Sequence, residues 1–151
     1  MRFFLICVLL TGLIQGNAFA GKKQIVYFND TPGALTMFKL REWMSQNPYT
    51  VQNASYALVH LNNDASPEIM VRLPNFHGEC SKLRGCQYLL FAQGNDELVL
   101  LGSFEAFTVY VEGQTPDGLK NLIVCDNPWN DFDCRTYTYQ AGQGKYGFNE
   151  K

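Results

Sequence analysis

Apolar and polar residues alternate along this chain in two registers. Near the front, Ala34, Leu35, Met37, Phe38, Leu40, Trp43 and Met44 recur at helical spacing. Asp30 or Thr31 precedes them as a candidate N-cap, with Pro32 in the first turn and Asn47-Pro48 as a stop, so a helix is expected over residues 32–46. At 100° per residue the apolar set spreads over two sides, as for a helix covered by a sheet on one side and loops on another. Trp43 and Met44 read as core. From Tyr56 the period shortens. Strands are expected at residues 56–61, 68–73, 87–92, 98–112 (bent near Glu105), 121–125, 136–139 and 145–148, after an extended opening at 24–28. Polar turns separate them: Asn62 to Pro67, Gly94-Asn95-Asp96, Thr115-Pro116-Asp117-Gly118 and Ala141 to Gly144. One helix ahead of closely spaced strands predicts an α+β fold, the N-terminal helix lying against a predominantly antiparallel β-sheet.

The first residues follow a different pattern. Met1-Arg2, an apolar run from Phe3 to Leu10, and Ala18-Phe19-Ala20 have the layout of a cleavable export signal. Thr11, Gly12, Gln15, Gly16 and Asn17 interrupt the apolar stretch before it could span a bilayer. Cys7 lies within that run rather than after a cleavage motif, which does not suit a lipoprotein. The expected organisation is a signal peptide at 1–20 and a single mature α+β domain at 21–151, in the periplasm or secreted, from a bacterium. Cleavage would leave 131 residues, a net charge of −3 in place of −2, and four cysteines in place of five. No later stretch is long and apolar enough to cross a membrane, and no basic run suits nucleic acid.

Export changes the meaning of the cysteines. Cys80, Cys86, Cys125 and Cys134 form an even set for an oxidising compartment, where three pairings are open. Pairing Cys80 with Cys86 and Cys125 with Cys134 closes two short polar loops and is the expected arrangement. Zinc is disfavoured by the spacings and by a histidine supply limited to His60 and His77.

The segment from His60 to Val71 resembles the D-x-N-x-D-G-x-x-E-I/V segment of FG-GAP (integrin-α-type) repeats and other calcium-loop proteins. It is more similar still to small exported bacterial proteins of unknown function in which one such copy precedes a cysteine loop and a sheet. Cys80 to Phe91 matches that second feature, and Tyr137-Thr138-Tyr139 with Gly142 and Tyr146 matches their ending. The resemblance implies calcium held by Asn62, Asp64 and Glu68. The residues themselves argue otherwise. His60 stands at the first Asp position and Ala65 at the usual Gly, leaving one carboxylate in the loop proper for an ion that wants six to eight oxygens. Asn62 and Asp64 are therefore expected to bond turn amides and fix the hairpin register, with no cofactor required.

Inside the second cysteine loop, Trp129, Asp131, Phe132 and Asp133, with Asp126 and Asn130 nearby, interleave aromatic and acidic side chains. A tethered loop of that composition is a candidate binding epitope. Catalysis has little support. Gly-x-Ser-x-Gly, His-Glu-x-x-His and a phosphate-cradling glycine loop are all missing, and carboxylates such as Glu68, Glu79 and Glu105 occur in any chain. The expectation is an exported, non-catalytic binding module, of inhibitor or immunity type, whose partner is another protein. A calcium-stabilised envelope or adhesion module is the second reading. A hydrolase of envelope polymers, pairing His60 or His77 with a carboxylate, is the third.

Overall fold

The computed structural model describes residues 22–49, 53–62, 64–74, 77–94, 96–113, 118–127 and 133–148. The expected signal peptide lies outside them, as do Trp129, Asp131 and Phe132. The elements are β1 (Gln24–Ile25), α1 (Ala34–Ser45), β2 (Ser55–Val59), β3 (Glu68–Leu73), β4 (Cys86–Gln93), β5 (Leu98–Ala106), β6 (Thr108–Glu112), β7 (Asn121–Cys125), β8 (Cys134–Gln140) and β9 (Lys145–Phe148). The α+β class with antiparallel strands is as expected, and the strands are divided between two sheets. One has the order β1-β6-β7-β8-β9 and the other β2-β3-β4-β5.

The layers explain the apolar runs of the sequence. Strands β3 and β4 are covered on both faces, so Ile69-Met70-Val71 and Tyr88-Leu89-Leu90-Phe91 are continuous rather than alternating. Ile69, Val71, Leu89 and Phe91 pack against Leu40 and Met44 of α1. Their neighbours Met70, Tyr88 and Leu90 face the other sheet, meeting Val109, Leu122, Val124 and Tyr146. The result is three layers: helix, sheet, sheet.

Strand β5 changes face along its length. Leu90 pairs with Gly102 but Phe91 pairs with Leu100, so Leu101 is the extra residue of a bulge. Leu98 and Leu100 therefore lie on the helix side, whereas Phe104 and Ala106 lie between the sheets. The run expected to bend near Glu105 breaks at Phe107, and its two halves join different sheets.

Two details of α1 differ from expectation. Its N-cap is Gly33, with no side-chain cap bond. Asp30 serves the sheet instead: its amide donates to the Tyr56 carbonyl (3.1 Å) and its Oδ2 accepts the Leu58 N–H (2.7 Å), which attaches the chain to the edge of β2. The second apolar side of the helix is uncovered among the described residues, with Leu35 68% and Phe38 64% exposed. That explains why the apolar positions make no single stripe.

Candidate functional site

The two expected disulfides are present, Cys80–Cys86 and Cys125–Cys134, and the fold brings them to one corner. Cys86, the first residue of β4, lies opposite Ala106, the last of β5. Thr108, the first residue of β6, lies opposite Cys125, the last of β7. Only Phe107 separates Ala106 from Thr108, and its N–H donates to the Cys125 carbonyl at 2.9 Å. The chain thus leaves one sheet and enters the other between its two bridges.

The first loop is rigid for reasons visible residue by residue. Ser81 and Gly85 exchange backbone hydrogen bonds at 2.9 Å each way. The Ser81 hydroxyl accepts the amides of Leu83 (3.3 Å) and Arg84 (3.2 Å), a side-chain-closed turn. Gly85 has φ +77°, and a Cβ there would collide with the Ala106 carbonyl, so only glycine lets the loop sit so close to β5. The tip points outward, and Leu83 is 89% exposed.

Beside it, Arg84 lies 3.8 Å from Glu105, and Arg135 donates to Asp126 Oδ1 at 2.8 Å. That bond holds the Arg135 guanidinium still more firmly protonated. The Arg135 guanidinium also lies 5.7 Å from the centre of the Phe148 ring. Leu83, Arg84, Glu105, Asp126 and Arg135 together line a shallow hollow of ≈ 320 Å³. Of the four loop residues singled out in the sequence, Asp133 alone is described. Its carbonyl accepts the Asp126 N–H (3.0 Å) and its Oδ2 accepts the Asn127 side-chain amide (3.3 Å), closing the base of the second loop. Leu83, Arg84, Glu105 and Arg135 are not legible as one site, because the break at Phe107 is what brings the β4–β5 hairpin end to Arg135 and Asp126.

The segment resembling a calcium loop forms the turn between β2 and β3. Asp64 N–H donates to Asn62 Oδ1 (3.0 Å) and Ser66 N–H to Asp64 Oδ1 (2.9 Å), the expected bonds to turn amides. The side chains also converge. Asn62 Nδ2 donates to Asp64 Oδ2 (2.8 Å) and to Glu68 Oε1 (2.9 Å), while Glu68 Oε2 accepts the Leu61 N–H (2.9 Å). An amide nitrogen therefore stands between the two carboxylates. Among the described residues no cluster of three or more His, Cys, Asp or Glu side chains is arranged to hold a metal. Burial pushes the Glu68 carboxyl above its ordinary range, only partly offset by the Leu61 amide. The turn is tied to the second sheet as well, since Lys120 N–H donates to the Leu61 carbonyl at 2.6 Å and the Tyr146 hydroxyl to the Lys120 carbonyl at 2.9 Å.

The histidines lie apart from the cysteine corner's hollow. His60 is exposed just beyond β2, on the wall of a hollow of ≈ 280 Å³ that also includes Asp30 and Lys120. The Asp30 carboxylate there already holds the Leu58 amide. His77 and Glu79 are exposed on the segment leading into the first cysteine loop. Among the described residues no helix is long and apolar enough to cross a membrane. Compared with known protein families, curated proteins and solved structures, the chain matches none.

Proposed function

We propose that the protein is exported to the periplasm or beyond and acts as a non-catalytic binding module, gripping another protein with the corner where its two stapled loops meet. The observation that carries this reading is the placement of Cys86 and Cys125 on either side of Phe107. The Cys80–Cys86 loop and the hydrogen-bonded base of the Cys125–Cys134 loop lie in one place and form a surface ordered before contact, which lowers the entropic cost of binding. An inhibitor- or immunity-type role needs such a surface together with stability outside the cell. The leader-like residues 1–20 and the two disulfides support export.

A pull-down from periplasmic extract tests it, using the mature domain with intact disulfides as bait. Partners held by the wild type and by Tyr27→Ser, but lost from Leu83→Asp/Arg84→Glu, are the expected result. Partners held equally by all three baits contradict the assignment to this corner. A calcium-stabilised envelope module is the second reading, favoured by the convergence of Asp64 and Glu68 on Asn62 Nδ2. It would require the Asn62 amide to turn its oxygen inward, giving up three hydrogen bonds.

A further inference from the structure

The tip of the Cys80–Cys86 loop carries Lys82, Leu83 and Arg84 in succession, all exposed. An isolated exposed leucine is ordinary. This one stands on a loop fixed by a disulfide, by the Ser81–Gly85 backbone pair and by two amides held on Ser81 Oγ, between two cationic side chains. It has the form of an apolar plug with a basic collar. Its surroundings carry acid as well, with Glu105 and Asp126 beside it, which argues against an anionic membrane and for a protein socket with a matching rim.

Such a socket exists on this chain. Between α1 and the β4–β5 turn lies a hollow of ≈ 310 Å³ whose apolar walls are Trp43 and Leu98 and whose acidic residues are Glu42, Asp96 and Glu97, with Lys39 the single cation among its described residues. Trp43 is held in place edge-on to Phe91 (4.9 Å) and stacked with Tyr49 (5.8 Å). A loop cannot fill the socket of its own molecule. The plug immediately precedes β4 and the socket lies at that strand's far end, so the eight residues of β4 separate them by about 26 Å. Each copy offers one plug and one socket at opposite ends of the same hairpin.

We infer that this protein associates with itself head to tail, Leu83 of one copy entering the Trp43/Leu98 socket of the next while Lys82 and Arg84 meet Glu42, Asp96 and Glu97. The inference deepens the binding role proposed above and rests on the same corner, naming a second copy as its partner. The contact is heterologous, so it propagates into a ring or an open string rather than closing as a two-fold dimer. One loop in one hollow is a small interface, which places the association at the weak end of the specific range.

Sedimentation velocity on the whole mature domain, disulfides intact, from about 1 μM to about 1 mM tests it. The weight-average mass of the wild type should rise across that range, and less steeply as salt is raised. Leu83→Asp, which disables the plug, and Glu42→Lys/Glu97→Lys, which disables the socket, should each remain monomeric; all three positions are exposed. An equimolar mixture of the two variants should restore association but stop at a 1:1 pair, because only one plug and one socket remain complementary. A wild type that stays monomeric at about 1 mM, variants that associate as the wild type does, or a mixture that gives no pair would each overturn the inference. Glu42→Lys/Glu97→Lys leaves the cysteine corner unaltered. A foreign partner captured undiminished by that variant, with self-association absent from the wild type, would remove this inference alone and leave the binding role in place.

Discussion

The turn between β2 and β3 and the loop closed by Cys80 and Cys86 are both short, polar in sequence and rigid, yet they direct their side chains in opposite ways. In the first, Asn62, Asp64 and Glu68 bond to one another and to the amides of Leu61, Asp64 and Ser66. In the second, a disulfide, backbone pairing and one serine hydroxyl hold the loop. Lys82 and Leu83 therefore remain outside, and the Arg84 side chain, also exposed, meets only the exposed Glu105, at 3.8 Å, among the described residues. A turn that builds its rigidity from polar side chains has them engaged. A turn that builds it from a covalent bridge and its backbone leaves them for a partner. The motif richest in apparent chemistry is thus occupied with its own structure, and the plainer loop presents the better surface.

The sharpest way to break this comparison is to remove the bridges. Replacing Cys80 and Cys86, or Cys125 and Cys134, by serine should each lower stability by about 2–5 kcal/mol in urea denaturation. A loss below about 0.5 kcal/mol for the first pair would show that Ser81 and the backbone bonds hold that loop unaided. A smaller effect is expected from the side-chain-bonded turn. Asp64→Ala removes acceptors for Ser66 N–H and Asn62 Nδ2 and should cost about 1 kcal/mol. Calorimetry on chelator-treated protein should find no calcium site tighter than the millimolar range. Micromolar binding that vanishes in Asp64→Ala would promote the envelope-module reading and reverse the contrast between the two turns.

The smallest effect concerns Glu68. Its carboxyl is buried and its folded-state pKa lies above the unfolded value, so the folded protein holds that proton more tightly than the unfolded chain. The group's contribution is most favourable when protonated, below its unfolded pKa, and declines as pH rises through the folded pKa. Measured against Glu68→Gln, the wild type should gain relative stability as pH falls from neutral toward the ordinary carboxylate range. The opposite slope would mean that the amides around Glu68 outweigh its desolvation.

Much of this architecture is legible in the amino-acid sequence. Strands β3, β7 and β9 span the expected residues, and both disulfides follow from the short polar loops they close. What escapes such a reading has physical causes. The bulge at Leu101 swaps the faces of β5, which hides the period of Leu98 to Ala106. The break at Phe107 sends one apolar run into two sheets, a tertiary event with no glycine or proline to mark it. Asp30 is legible as a cap because Pro32 follows it, but the edge of β2 offers its carboxylate a backbone amide. The corner's charged residues form two pairs, 84 with 105 and 126 with 135, which belong to different sheets and share a hollow only through that break.

The claim that the stapled corner, and not the β2–β3 turn, is the working surface is tested most directly by photocrosslinking in cells that export the protein. A benzophenone amino acid is placed at position 83 or at position 60, the latter exposed beside the turn. The account predicts a discrete adduct from position 83 that disappears with Arg84→Glu, and none from position 60. An adduct from position 60 with none from position 83 would contradict it.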